Sequence, residues 1–143
     1  LTVYPGGTLD LSGWTGGAIS DVQISDYSDA DFSLRKKTSL IIGPNAGTIN
    51  QLWLSNWQLG SKDTANAINL SGGSYNTICI NGWNSNQIQL GNLLATGYAF
   101  KDSNGYVRYD RKFAEERDEQ GNINNLTVVP CTAHVTDTDE GTQ

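Results

Sequence analysis

Three nine-residue stretches of the chain align on one another: 19–27 (ISDVQISDY), 49–57 (INQLWLSNW) and 75–83 (YNTICINGW), at offsets of 30 and 26 residues. The shared pattern runs large apolar, Ser or Asn, any residue, aliphatic, any residue, aliphatic, Ser or Asn, small, aromatic. Apolar positions that alternate with period two describe a half-buried β-strand. Recurrence at this spacing marks a chain that stacks one supersecondary unit on the next. A single unit cannot bury its apolar face, whereas stacking joins those faces into one continuous core.

A shorter repeat precedes each long one. Leu9-Asp10-Leu11-Ser12-Gly13 resembles Ile68-Asn69-Leu70-Ser71-Gly72, with looser copies at Leu40–Gly43 and Ile88–Gly91. The expected strands are therefore 8–12, 19–25, 39–43, 49–55, 67–71, 76–81 and 87–90, the last opening a fourth coil. Gly16-Gly17, Gly43-Pro44-Asn45, Gly72-Gly73 and Asn81-Gly82 supply the turns, and Pro44 suits a corner because it cannot donate to a central ladder. The domain organisation read from this pattern is β-coils over 1–100, a C-terminal cap or oligomerisation segment over 101–135, and a disordered acidic tail over 136–143. Within the second segment, Asn104-Gly105 is a hairpin turn, 113–119 a short helical stretch, and Leu126–Val129 a strand that Pro130 ends.

Composition removes several function classes. The chain of 143 residues carries a net charge of -6, and its only basic run is Arg35-Lys36-Lys37. Phosphate neutralisation needs a basic stripe, so no nucleic-acid partner is expected; the triplet balances Asp26, Asp29 and Asp31. No apolar run is long enough to insert in a membrane. The chain opens on Leu1 and contains no Met, as expected of a processed product or excised fragment. Cys79 and Cys131 make no disulfide framework, and the sequence leaves open whether they are free or paired.

Alternation assigns faces to the long strands. Val22 and Ile24, Leu52 and Leu54, Ile78 and Ile80 point inward. Counting back by two puts Ser20, Asn50 and Asn76 inward as well, as a corner ladder of hydrogen-bonded polar side chains. Tyr27, Trp57 and Trp83 form a corner stack. The outward face is a grid of three columns: Asp21, Gln51, Thr77; Gln23, Trp53, Cys79; and Ser25, Ser55, Asn81. Trp53 is the member the coil does not explain. An outward indole among amides and hydroxyls can stack on a sugar ring while its neighbours hydrogen-bond hydroxyls, or it can be buried against another subunit. The candidate glycan-binding residues are Trp53, Gln51, Gln23, Ser55, Asn81, Trp57 and Trp83.

Catalytic groups are sparse in the repeats. Glycoside cleavage needs two carboxyl groups across the scissile bond, and the weak candidates are Asp21, Asp26 and Asp29; solvated turn carboxylates are the favoured alternative. Asp26-x-x-Asp29-x-Asp31 matches no strong calcium motif. His134, the only histidine, excludes a multi-histidine metal site. Ser71-Gly72-Gly73-Ser74 lacks the Lys and the following helix of a phosphate loop. No metal and no cofactor is expected.

The three long repeats resemble the right-handed parallel β-helix of the pectate-lyase-like group, which includes pectin-active enzymes and bacteriophage tailspikes. The likeness covers about two thirds of the chain and is specific for architecture; the catalytic signature of the pectin-active enzymes is not among these residues. The resemblance implies an all-β fold: a right-handed parallel β-helix (solenoid) of about three to four coils with a non-repeating C-terminal β segment. It looks most like a tailspike or tail-fibre segment, which implies a homotrimer in the virion that binds bacterial surface polysaccharide. The alternatives are a glycan hydrolase or lyase with loop or intersubunit carboxylates, and a secreted or cell-surface structural or adhesin segment; the opening Leu1–Leu9 has some likeness to autotransporter passengers.

Overall fold

The computed structural model describes residues 1–4, 7–25, 39–55, 68–81, 89–108 and 112–131. The strands are β1 (Thr2–Val3), β2 (Thr8–Leu11), β3 (Gly16–Ser25), β4 (Ser39–Ile42), β5 (Ala46–Ser55), β6 (Ile68–Leu70), β7 (Ser74–Asn81), β8 (Tyr98–Lys101), β9 (Val107–Arg108) and β10 (Asn122–Pro130). A 3-10 helix covers Leu90–Leu93 and a single-turn helix, α1, covers Phe113–Glu116. The described chain is all-β apart from these two turns.

The strands form a seven-stranded sheet in the order β1-β3-β5-β7-β10-β8-β9 and a three-stranded sheet in the order β2-β4-β6. Each repeat contributes its long strand to the first sheet and its short strand to the second, and pairing within the repeats is parallel. The register is the one the sequence alignment dictates: Ile19, Ile49 and Tyr75 are neighbours, as are Val22, Leu52 and Ile78. One continuous core lies between the sheets. Val22, Ile24, Leu52, Leu54 and Ile78 from the long strands meet Leu40, Ile42, Ile68 and Leu70 from the short ones.

The corner of the long strand differs from expectation. Ser20, Asn50 and Asn76 are exposed, whereas Ile49 and Tyr75 just before two of them are fully buried and Ile19 is partly so. Inward residues are thus spaced 49, 52, 54, with two successive residues, Asn50 and Gln51, outside. Strict alternation assumes a straight strand, and here the strand bends: the ladder skips the Ser20–Asn50 and Asn50–Asn76 positions in register. On the outside of the bend, the Asn76 side-chain amide donates to Asn50 Oδ1 at 3.1 Å. Opposite Asn76, Asn125 takes a left-handed conformation (φ 61°), which Asn tolerates better than most residues.

The other corner brings backbones together. A Cβ on Gly72 would sit 2.5 Å from the carbonyl oxygen of Gly43, and one on Gly43 would in turn strike the carbonyl of Ser12. Only a residue without a side chain lets the successive units approach to ladder distance here.

After β7 the pattern changes as the sequence implied, with corrections in detail. Leu90–Leu93 is a 3-10 turn, not a strand, and it packs buried Leu90 and Leu93 on the core; positions 87 and 88 lie outside the described residues. Leu94 still bridges Leu70 in parallel. β10 begins at Asn122, four residues before the expected strand, and pairs antiparallel along β7 before joining β8. The helical stretch is shorter than the expected 113–119. Asn104-Gly105 lies within a longer loop between β8 and β9, in which the Asp102 carboxylate accepts from the N–H groups of Asn104 and Tyr106.

The glycine corner yields a stability test. Gly72→Ala should lower stability by roughly 1–3 kcal/mol, since a backbone carbonyl cannot move aside as a side chain can. Gly13→Ala, with nothing within 4 Å of the added Cβ, should be close to neutral. Thermal unfolding of the two variants beside the parent protein checks both.

Candidate functional site

The outward columns assemble as the alternation requires. Asp21 stands beside Gln51 and Gln51 beside Thr77, while Gln23 stands beside Trp53 and Trp53 beside Cys79. β10 lengthens both: Asn124 follows Thr77 and Asn122 follows Cys79. The sequence reading missed these two amides because antiparallel pairing with a segment more than 40 residues away leaves no periodic trace. The backbones of Ser25, Ser55 and Asn81 stand in register as the third column.

Trp53 lies between two fully buried leucines, Leu52 and Leu54, so the pleat turns its ring away from the core. It is half-buried on that outer face. Gln23 is exposed, and Gln51, Thr77 and Cys79 are half-buried beside it. The expected contributions of Trp57, Trp83, Asp26 and Asp29, and the stack of Tyr27 with Trp57 and Trp83, lie outside the described residues.

The polar side chains at the β10 end form a chain of hydrogen bonds. Thr77 Oγ1 donates to Asn124 Oδ1 at 3.0 Å, and the Asn124 amide donates to Asp118 Oδ2 at 2.9 Å. The other Asp118 oxygen accepts from the N–H groups of Gln120 and Asn122. Asp118 thus folds the 118–122 turn around a carboxylate and anchors it to the outward columns. These donors hold its carboxyl below the ordinary 3.8, the Asn122 N–H most of all. Asp10 is lowered for a similar reason by Ser12.

Beside this chain lies a cleft of about 230 Å³, lined by Leu90, Asp102, Glu116, Asp118, Asn122, Ile123, Asn124 and Leu126. It sits where β10 runs beyond its pairing with β8. It brings Asp102 together with Glu116 and Asp118, more than a dozen residues further along the chain, and none of the three was among the expected site residues. Asp102 Oδ1 and Asp118 Oδ1 each accept from two turn N–H groups.

Asp21, the expected catalytic candidate that can be placed, stands apart from that cleft. Its Oδ2 is 3.9 Å from the terminal ammonium of Leu1, and its side chain is half exposed. Three strand steps of about 4.8 Å separate it from Asn124, roughly 14 Å in all. Glycosidase pairs stand about 5–9.5 Å apart, so Asp21 and the cleft carboxylates do not form one.

Neither Cys79 nor Cys131 is joined in a disulfide. Burial, and secondarily the Asp118 charge, push the Cys79 thiol above its usual range. A thiol so raised is a poor nucleophile at neutral pH. Among the described residues no group of His, Cys, Asp and Glu is arranged to hold a metal ion, and no helix is long and apolar enough to cross a membrane. No protein family, curated protein or solved structure matches this chain.

Asp118→Asn tests the carboxylate's part. A carboxyl whose folded pKa lies below the unfolded one adds stability that is complete above the unfolded value and is lost as pH falls through the folded value. The variant should therefore be less stable near neutrality and show a shallower loss of stability below the ordinary value of 3.8. With the neighbouring charge gone, Cys79 should also alkylate faster at a fixed, mildly alkaline pH. Acid unfolding curves and timed iodoacetamide labelling measure the two effects.

Proposed function

We propose that this chain is a segment of a right-handed parallel β-helix that recognises bacterial surface polysaccharide, working as a homotrimer in the manner of a phage tailspike. Two observations support the architecture. Successive parallel strands of the large sheet are joined through a strand of the other sheet, and such crossovers are right-handed in nearly all proteins. The repeat also keeps its register through three units.

The observation that carries the binding reading is Trp53. Its ring is turned outward in the middle of a face built from Gln23, Gln51, Thr77, Asn122 and Asn124. An indole supplies a flat apolar platform for the C–H face of a pyranose, and amides and hydroxyls on either side supply donors and acceptors for its hydroxyls. The columns run across the strands, so a linear glycan lying along them meets a polar side chain about every 4.8 Å.

A glycan array, followed by titration of any hit, tests this. Trp53→Ala should weaken binding tenfold or more, about 1.4 kcal/mol, with the unfolding temperature little changed. Equal affinity of the variant removes Trp53 from the site, and a monomer mass in sedimentation removes the homotrimer.

The cleft favours a second reading, a glycan hydrolase. It places Glu116 beside Asn122 and Asn124, which continue the columns. Glu116→Gln should then abolish reducing-end release from a bound polysaccharide and leave binding intact. Binding with no release by the parent protein returns the function to recognition alone.

A further inference from the structure

The chain contains two Asn-Gly dipeptides, Asn81-Gly82 and Asn104-Gly105, and the fold treats the two asparagines differently. We propose that Asn104 is a site of spontaneous deamidation and isoaspartate formation in the folded protein, and that Asn81 is protected. In this reaction the backbone nitrogen of Gly105 attacks Cγ of Asn104. A new C–N bond closes a five-membered succinimide, and the side-chain nitrogen leaves as ammonia with the proton from the backbone N–H. Water then opens the ring at one carbonyl or the other, giving Asp or isoaspartate.

Three features of the loop permit this at Asn104. Its side chain is exposed, so water and base reach it. Nothing lies within 4 Å of the position a Cβ on Gly105 would occupy, so the ring has room to close. The Gly105 N–H that must be released is held by a turn hydrogen bond to the Asp102 carbonyl at 3.0 Å, on an exposed loop, a bond of small net worth. The turn also demands this chemistry of itself. Gly105 has φ +88°, which a residue with a side chain adopts only with strain, so the residue after Asn104 is fixed as the least hindered one.

Asn81 differs in its backbone. It ends β7 in ladder register with Ser55, which holds its backbone extended. Ring closure there requires the strand end to unpair first. The consequence at the hairpin is a new negative charge two residues from Asp102, which itself holds the loop through the Asn104 and Tyr106 N–H groups. The isoaspartate product also adds a backbone atom to that loop.

The test is incubation of the intact protein at mildly alkaline pH, followed by trypsin and mass spectrometry. Cleavage after Lys101 and Arg108 isolates residues 102–108, in which Asn104 is the only Asn. That peptide should acquire the amide-to-carboxylate mass increment several-fold faster than the peptide carrying Asn81, and should split chromatographically into Asp and isoaspartate forms. In denaturant the two sites should convert at similar rates, and Asn104→Gln should abolish the change in its peptide. Conversion at Asn81 as fast as at Asn104 in the folded protein, or an unmodified Asn104 under conditions that convert it in denaturant, overturns the proposal.

Discussion

The parallel register between β3, β5 and β7 is the constraint on which the rest of the molecule depends. Because side chains alternate with period two, a slip of one residue would exchange the inner and outer faces of a whole strand. Held in register, Val22, Leu52 and Ile78 close on the short-strand sheet, and Gln23, Trp53 and Cys79 are left in line outside. The same register stacks Ser12, Gly43 and Gly72 at one corner, where carbonyls come too close for a Cβ. It stacks Asn50 and Asn76 at the other, where the amides bond along the stack. Both corners follow from the spacing of the units, one by excluding side chains and the other by using them.

A parallel stack ends in an unpaired edge, and β10 covers the edge of β7. It does so antiparallel, from Asn122 opposite Cys79 to Thr127 opposite Ser74, with the two hydroxyls of that last pair hydrogen-bonded. An edge left open would be a template for another chain. The same strand buries Ile123, Leu126 and Val128 on the core and presents Asn122 and Asn124 outside. Closing the stack and extending the outward columns are therefore one structural event.

The carboxylates near β10 show how turn chemistry and a candidate site come to share residues. Asp102 and Asp118 each accept two backbone N–H groups from the loop that follows them. That geometry folds the loops and directs them toward a common cleft, where Glu116 of α1 joins them. The donors gathered around Asp118, the Asn122 N–H first among them, hold its carboxyl below the ordinary carboxylate range. Tyr75 is a similar case in the interior: its hydroxyl donates to the Gly72 carbonyl at 2.8 Å, and burial raises its pKa.

The sequence by itself determined the all-β character, the strand order within the repeats and the facing of Trp53. Those follow from local alternation and a recurring spacing, both of which are written in one dimension. It misplaced Ser20, Asn50 and Asn76, because a strict period of two cannot register a bend that sets two successive residues outside. It gave no sign of Asn122 and Asn124 as members of the columns, nor of the meeting of Asp102, Glu116 and Asp118. Only the tertiary structure decided these, since they depend on one antiparallel strand returning to β7 across more than 40 residues, a pairing fixed by shape and burial with no repeat to announce it.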